Sequence, residues 1–566
     1  MCGIFGYICN NPVSSGLYTD SIYKLLENGR ENYARGPDGC TVKDIWTDDY
    51  YLCMQFYRLS IVGVENGEQP FMSGKVMCMV NGEIYNHREL AETFELKLKT
   101  QSDCEVIIKL YEKYGIEKTI DLLDGVWALV IYDLGEGQVH FARDMWGVRP
   151  LYYATGLDLF SKNHCGNIVD VAVSSTAKGL IGTEYKWVEP RKIYTLNRNS
   201  DGFFDLSIKQ YVDISYKGVA GRTIADSMGF SAQYQGMLND GYNIKAYFTE
   251  AVRKRIVSCE RPIGYYLSGG LDSSLVLATA MKIMHEEEYK TPIDVFSIGT
   301  TGCSPDVDAA CLLVDWLKKK YGDNSINHHI VNFEYWDRDT LTTLIYEIES
   351  NDVTTVRASM SMYLLSRYVK GNTDIKVIIS GEGSDELFGG YLYFRNAPNP
   401  VEFEKESRRL LEDLYKFDVL RCDRSVSCCG LEVRVPFLDR DFSSYVLDID
   451  TILKMPFKEK NSSSSNHIEK YILRKAFVGE LPSDILWRVK DGMSDGVGKG
   501  FQKWVQSLAQ IEYPEEKTAV SAERRLYRDI LINGTEWEMK DLVEYQWMPK
   551  WVTGDALEDP SGSILM

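Results

Sequence analysis

Two constellations in this sequence place reactive side chains where chemistry would need them. The chain begins Met1-Cys2-Gly3-Ile4-Phe5-Gly6. A residue as small as Cys2 permits removal of the initiator Met, which would leave a thiol and a free α-amine on one residue. The amine's reference pKa is about 7.7 to 8.0 and the thiol's about 8.5, so near neutrality the amine takes the thiol's proton. Attack of the thiolate on an amide carbonyl creates an oxyanion, and each fixed donor facing it is worth roughly a hundred-fold or more in rate. Asn81-Gly82 is the candidate oxyanion hole. Arg58, in Arg58-Leu59-Ser60-Ile61-Val62, supplies a cation, and Asp103, in Ser102-Asp103, supplies an anion. A substrate with a carboxylate, an α-ammonium and a side-chain amide satisfies this set, and glutamine carries all three.

The second constellation follows the apolar run Ile263 to Leu267. Ser268-Gly269-Gly270-Leu271-Asp272-Ser273-Ser274 comes next, and then Leu275, Ala278 and Met281 continue at helical spacing. Glycines let the backbone turn so that its N–H groups and a helix N-terminus face an anion, which makes a phosphate cradle. The Walker A spacing is absent, since Met493 and Gly500 stand where Gly498-Lys499 would need Gly and Ser or Thr. A second run, Ile375 to Ile379, ends in Ser380-Gly381-Glu382-Gly383-Ser384-Asp385-Glu386. Ligands of parallel sheets collect at strand C-termini. If the two strands adjoin, Asp272 and Asp385 share a magnesium ion on a triphosphate, while Glu382 faces the reacting centre.

The elements that must carry these residues change character along the chain. Up to about residue 200 the text is short β-rich pieces, among them Val76 to Val80, Trp127 to Tyr132 and Gln138 to Ala142, separated by Gly, Asp and Asn turns. The helical period is clearest from Cys104 to Tyr114. This half reads as stacked antiparallel sheets with helices outside. A weakly periodic connector spans about Asn199 to Asn243, and Asn461 to Asn466 reads as a mobile loop. Beyond the connector, strand and helix alternate, with strands at Ile263, Asp294 and Ile375 and helices at Leu275 to Met284 and Ser361 to Tyr368. Such alternation implies a parallel, doubly wound sheet.

Composition excludes several functions. The 566 residues carry a formal charge of −19, which argues against a phosphate-tracking nucleic-acid surface. No run approaches the roughly 18 apolar residues of a membrane span, and the first residues lack an export leader, so a cytoplasmic protein is expected. The 13 cysteines are scattered without CxxC spacing, which argues for reduced thiols rather than a zinc ribbon or disulfide framework. Adjacent His328 and His329 read as structural residues.

The N-terminal half resembles the class II glutamine amidotransferases in Cys2-Gly3-Ile4, Arg35-Gly36-Pro37-Asp38, Arg58-Leu59-Ser60-Ile61, Asn81-Gly82-Glu83-Ile84-Tyr85-Asn86, Asp124-Gly125 and Ala142-Arg143-Asp144 with Gly147 to Tyr152. The two glycine loops are similar to those of the ATP pyrophosphatase domain of asparagine synthetases, as are Phe296-Ser297-Ile298-Gly299, Ser304-Pro305-Asp306, Val433 to Asp439, and Lys490 with Ser494 to Gly498. The resemblance implies an N-terminal nucleophile αββα sandwich (residues 2–200), a connector (201–243), an α/β doubly wound ATP pyrophosphatase domain (244–550) and a C-terminal tail (551–566).

It also implies site roles: Cys2 as nucleophile, Asn81 and Gly82 as oxyanion hole, and Arg58 to Val62 with Asn81, Gly82, Glu83 and Asp103 as the glutamine set. Leu267 and Ile298 would contact adenosine, Ser268 to Ser274 pyrophosphate, and Ser380 and Gly381 the nucleotide. Glu382 would keep the incoming amine uncharged, and Lys490 would steady a phosphate or oxyanion. The implied reaction uses ATP and Mg2+ to activate the β-carboxylate of aspartate, takes nitrogen from glutamine, and occurs in a homodimer. A cyclase-type enzyme of the β-lactam synthetase plan acting on another carboxylate, and an inactive binding protein, are the alternatives. Tyr33, Ala34, Thr176 and Arg191 depart from the family's usual pattern and bear on the contact between the halves.

Overall fold

Period-two alternation sorts the first half of the chain onto opposite faces of two sheets. The computed structural model describes residues 1–10, 20–155, 168–215, 230–289, 291–300, 304–333, 336–458, 467–489, 500–533 and 545–552. The first sheet has six antiparallel strands in the order β10-β8-β9-β1-β3-β2. Its members are β1 (Gly3–Asn10), β2 (Gly39–Trp46), β3 (Tyr50–Arg58), β8 (Tyr152–Thr155), β9 (Asp170–Ser174) and β10 (Tyr185–Trp187). The second runs β12-β11-β7-β6-β5-β4, from β4 (Phe71–Ser73), β5 (Val76–Ile84), β6 (Gly125–Asp133), β7 (Gln138–Arg143), β11 (Lys192–Arg198) and β12 (Phe204–Gln210).

On β1, Ile4 and Ile8 point into the core between the sheets, where they meet Met79 and Val130, while Phe5, Tyr7 and Cys9 face the outer helix α1 (Asp20–Asn28). On β5, Met77 and Met79 face inward, whereas Cys78 and Val80 pack under α2 (His87–Thr93) and α3 (Glu105–Leu122). The result is an αββα sandwich. A one-residue register slip would turn every one of these side chains to the wrong face.

The second half forms a five-stranded sheet in the order β15-β14-β13-β16-β17, all parallel. Its strands are β13 (Ile263–Tyr266), β14 (Ile293–Thr300), β15 (Ile326–Phe333), β16 (Val377–Ile379) and β17 (Glu432–Arg434). Helix α4 (Phe230–Val257) precedes β13. The connections run through α5 (Leu271–Glu286), α6 (Pro305–Tyr321), α7 (Arg338–Ile348) with α8 (Val353–Asn372), and α9 (Ser384–Phe388), α10 (Pro400–Asp413) and α11 (Asp418–Ser427). The chain builds outward from β13 to β15 and returns on the other side at β16. That reversal leaves a crevice above the C-termini of β13 and β16.

One expectation needs correction. Residues 204–210 of the expected connector form the edge strand β12, and its later part belongs to α4. Most of the β12 side chains are exposed, so no buried face imposes an alternation on the sequence. The Asn461 to Asn466 segment lies outside the described residues. His328 donates to or accepts from Ser297 Oγ at 2.9 Å, and His329 sits 3.0 Å from Asp294 while stacking on Phe296, so both are structural. All described cysteines are free thiols, and no helix among the described residues is long and apolar enough to cross a membrane.

The sandwich and the parallel sheet meet across buried charge. Arg35 forms a two-pronged pair with Asp423 (2.7 and 3.1 Å) and donates to Ser427 Oγ at 2.9 Å. Arg149 reaches Glu432 at 3.3 Å and Asp423 at 3.6 Å, and Arg434 reaches Glu83 at 3.1 Å and Glu432 at 2.7 Å. Glu349 accepts from the N–H groups of Ala177 and Lys178 and pairs with Arg424 at 2.7 Å. Burial would raise the Glu432 carboxyl, but the Met1 amine, Arg434 and Arg149 outweigh it and hold the group at about 2.

Arg191, at φ +65°, occupies a backbone conformation suited to glycine. Its guanidinium donates to Met145 O and, across the boundary, to Glu412 O, which ties an otherwise strained position to the second unit. Thr176 bonds Asn32 inside the sandwich.

Replacing Glu432 by Gln leaves Arg149 and Arg434 buried without their shared anion. The expected cost is about 3–5 kcal/mol, read as a lowered calorimetric unfolding transition. An unchanged transition would show that the network does not hold the units together.

Candidate functional site

The first centre lies where β1 begins beside the end of β5. Cys2 is partly buried, its Sγ 3.9 Å from Leu59 O, and its carbonyl accepts from Arg35 Nε at 3.1 Å. Burial pushes the thiol up, and the neighbouring amine offsets part of that. Met1 is present and buried, with its amine 3.4 Å from Glu432.

Asn81 is fully buried, yet neither its Nδ2 nor its Oδ1 has a hydrogen-bond partner. A buried amide without a partner costs about 1–3 kcal/mol per group, which makes Asn81 a candidate for contact with a substrate. Gly82 is required for a different reason: a Cβ there would stand 2.2 Å from Val126 O. Its carbonyl sits 3.4 Å from Cys104 Sγ.

Asp103 accepts from Ile84 N at 2.6 Å, and Glu83 pairs with Arg434. Burial, Glu432 and Asp103 push the Glu83 carboxyl well above its ordinary range, with Arg434 opposing. Arg58 is turned to its own loop: it donates to Gly63 O at 2.5 Å and Val64 O at 3.2 Å, and pairs with the exposed Glu68 at 2.9 Å. The Leu59 to Val62 segment is also a contact between units. Leu59 and Ile61 pack on Val377 of β16, Ser60 O accepts from Arg261 Nε, and Ile61 O accepts from Glu260 N.

The second centre is a cavity of about 250 Å³ at the sheet's reversal point. The two glycine loops touch there, since a Cβ on Gly381 would meet Ser273 N at 2.9 Å. Gly269, at φ +71°, packs so closely on α6 that a Cβ would stand 2.5 Å from Asp306 O. Gly270 opens α5, so the helix N-terminus faces the cavity, and Ser268 and Ser273 join through their hydroxyls at 3.1 Å. Leu267, Leu271, Asp272, Ile298, Ser380, Gly381 and Asp385 line the cavity. Gly269 and Ser274 shape the turn behind it, and Ser274 Oγ is buried without a partner.

Asp272 and Asp385 do converge, and Lys470 Nζ lies between them at 2.7 and 2.6 Å. Among the described residues no cluster of three or more His, Cys, Asp or Glu could hold a metal alone. Magnesium commonly takes one or two carboxylates plus substrate phosphates, and the buried, unpartnered Oδ1 of Asp272 offers one such oxygen. Glu382 lines the same cavity and pairs with Arg421 at 2.7 Å. Burial raises its carboxyl, and Arg421 opposes that.

Lys490 and Ser494 to Gly498 lie outside the described residues. Sequence reasoning missed Arg421 and Asp418, which sit in the ordinary helical text of α11, and Lys470, which sits in a turn just before the short helix at Tyr471–Ala476. Only their convergence on one cavity distinguishes them.

Residues 1–193 match the family described as glutamine amidotransferase domain, and residues 243–404 and 395–533 match the family described as asparagine synthase. The chain is 36% identical to the glutamine-hydrolysing asparagine synthetase of Cricetulus griseus over 560 residues, 37% identical to that of Bos taurus over 562 and 36% identical to that of Homo sapiens over 567. Each alignment covers 94% of this chain and 94% of the relative.

Removing the unpartnered amide tests the oxyanion assignment. Asn81→Ala is expected to lower the rate of glutamine hydrolysis about a hundred- to a thousand-fold, measured as glutamate release. A loss under threefold would assign the donors elsewhere.

Proposed function

The chain belongs to the glutamine-hydrolysing asparagine synthetase family, and from that premise we propose that it makes asparagine from aspartate, with ATP as activator and glutamine as nitrogen donor. Cys2 Sγ attacks the glutamine amide carbon, and the oxyanion is met by Asn81 Nδ2 and the Gly82 N–H. Collapse expels ammonia and leaves a thioester that water hydrolyses to glutamate. The working nucleophile has Cys2 as first residue, so that its own amine takes the thiol proton. Arg58, Leu59 to Val62, Glu83 and Asp103 form the glutamine set. Arg58 is supported by its freely exposed partner Glu68, which an incoming carboxylate can replace.

A carboxylate resists amines because its charge makes it a poor electrophile. Activation transfers the adenylyl group of ATP to the β-carboxylate oxygen, with pyrophosphate leaving. Ammonia then attacks the β-carbonyl, expels AMP and leaves asparagine. The Ser268 to Ser274 loop and the α5 N-terminus suit the polyphosphate, Leu267 and Ile298 the adenosine, and Ser380 and Gly381 the nucleotide. Asp272 and Asp385 are the residues that would hold Mg2+, and the ion would neutralise phosphate charge. Lys470 pairs with both of these carboxylates. Glu382, held by Arg421, takes a proton from the incoming amine, and Lys490 is assigned to a phosphate or oxyanion by family position.

The observation that carries the two-site reading is Arg434. Its carbonyl accepts from Ser380 N at 3.0 Å in the ATP loop, and its guanidinium pairs with Glu83, the neighbour of the oxyanion donor Gly82. One residue therefore binds both centres. Ammonium has no lone pair, so nitrogen must pass as ammonia through a route shielded from bulk water. We further read the enzyme as a cytoplasmic homodimer that uses neither nucleic acid nor membrane, from its charge of −19 and its family.

Cys2→Ala should abolish glutamine-dependent synthesis and leave ammonium-dependent synthesis intact, measured as asparagine formed. Loss of both in a folded variant sinks the two-site scheme. Asp272→Asn should cut aspartate-dependent pyrophosphate release at least a hundred-fold while glutaminase turnover stays within twofold. Pyrophosphate release that ignores aspartate would point to another acceptor.

A further inference from the structure

Ser60 lies in the glutamine loop Arg58 to Val62, and its backbone is gripped from both sides. Its N–H donates to Asp38 Oδ2 at 3.0 Å, and its carbonyl accepts from Arg261 Nε at 2.9 Å. Asp38 in turn accepts from Lys376 Nζ through Oδ1 at 2.9 Å. Burial would raise the Asp38 carboxyl, but Lys376, the Ser60 N–H and Arg261 outweigh it and hold the group below its ordinary range, so the carboxylate is charged at neutral pH. Ser60 itself is buried.

Both cations come from the second unit, and each stands at the entrance to a strand that carries a glycine loop. Arg261 lies two residues before β13, and Lys376 lies immediately before β16. The two strands are parallel neighbours whose first residues, Ile263 and Val377, pair, and Lys376 N donates to Pro262 O at 3.5 Å. Leu59 and Ile61 pack on the same Val377, and Ile61 O accepts from Glu260 N at 3.3 Å. With four residues in β13 and three in β16, the grip on Ser60 and the glycine loops stand at opposite ends of the same strands, about 10–13 Å apart.

We propose that Arg261 and Lys376 are positioning residues for glutamine hydrolysis, supplied by the synthetase unit. By gripping the Ser60 backbone, directly and through Asp38, they hold the Arg58 to Val62 loop in the shape that binds glutamine. The proposal rests on the reading of that segment as part of the glutamine set and deepens it. Arg58 secures the loop from within only while its guanidinium is turned to Gly63 O, Val64 O and Glu68. A donor lent to the substrate is lost to the loop, and the outer grip then has to hold it. Glutamine binding thus depends on docking of the synthetase unit, which confines nitrogen release to the assembled enzyme.

The test is glutamate release by the full chain with glutamine varied, run beside ammonium-dependent asparagine synthesis. Arg261→Met keeps most of the side chain's length and removes the donor, and it is expected to raise the KM for glutamine about tenfold. Lys376→Met removes the charge from a pair partly open to solvent, and a rise of about threefold is expected. In both variants the kcat for glutamate release, the KM for ATP and the ammonium-dependent rate should stay within twofold. Lys376→Arg keeps the cation and should bring the glutamine KM back to within twofold of the unaltered enzyme.

An unchanged glutamine KM in Arg261→Met overturns the proposal. A fall in kcat or in the ammonium-dependent rate that matches the change in KM overturns it as well, because a merely structural loss would lower them together. Failure of Lys376→Arg to restore the KM removes Lys376 from the grip. Arg58→Met serves as the reference: if it leaves the glutamine KM unaltered, the glutamine role of the loop falls instead.

Discussion

Charge buried between two units must be neutralised across the boundary, and this requirement governs the rest of the molecule. Arg35, Arg149 and Arg434 are each at most 2% exposed, and their anions Asp423 and Glu432 are equally enclosed. Removing a partner from such a pair leaves an uncompensated charge, whereas the intact pair adds little net stability over an apolar contact. The network is therefore better understood as fixing how the units dock. Arg35 reads Asp423 while its Nε holds the Cys2 carbonyl, so the same guanidinium docks the sandwich and positions the nucleophile.

Each site then follows from where its fold leaves backbone or polar atoms free. The sandwich packs so tightly at β5 and β6 that only glycine fits at position 82, and the buried amide of Asn81 is left without a protein partner. The parallel sheet reverses its winding between β13 and β16, which brings two glycine turns and a helix N-terminus to one crevice. The segment after Arg58 touches both systems: it bonds to Glu260 and Arg261 and packs on Val377 at the start of β16. A change of the Leu59 to Val62 loop on binding would thus press directly on the second unit.

Much of this was legible in the residue order because local chemistry has local signatures. Ser268-Gly269-Gly270 must turn with positive φ at Gly269, and Cys2 beside the chain start is an obvious nucleophile. Short β-rich pieces between Gly, Asp and Asn turns exposed the sandwich, although strands such as β3, β6 and β9 are buried on both faces. The pattern failed for β12, an edge strand whose exposed face tolerates any polar residue. It also gave Arg58 a substrate role without showing that the guanidinium first secures its own loop.

The sequence by itself determined the two chemistries, the order of the two units and the motifs at the strand ends, because each depends on residues within a few positions of one another. Only the tertiary structure decided that Lys470 lies between Asp272 and Asp385, that Arg434 touches both centres, and that Trp547 walls the cavity of a loop more than 150 residues earlier. Those relations arise when distant segments are buried against each other, and desolvation then forces every charge and donor to find a partner that no local pattern records.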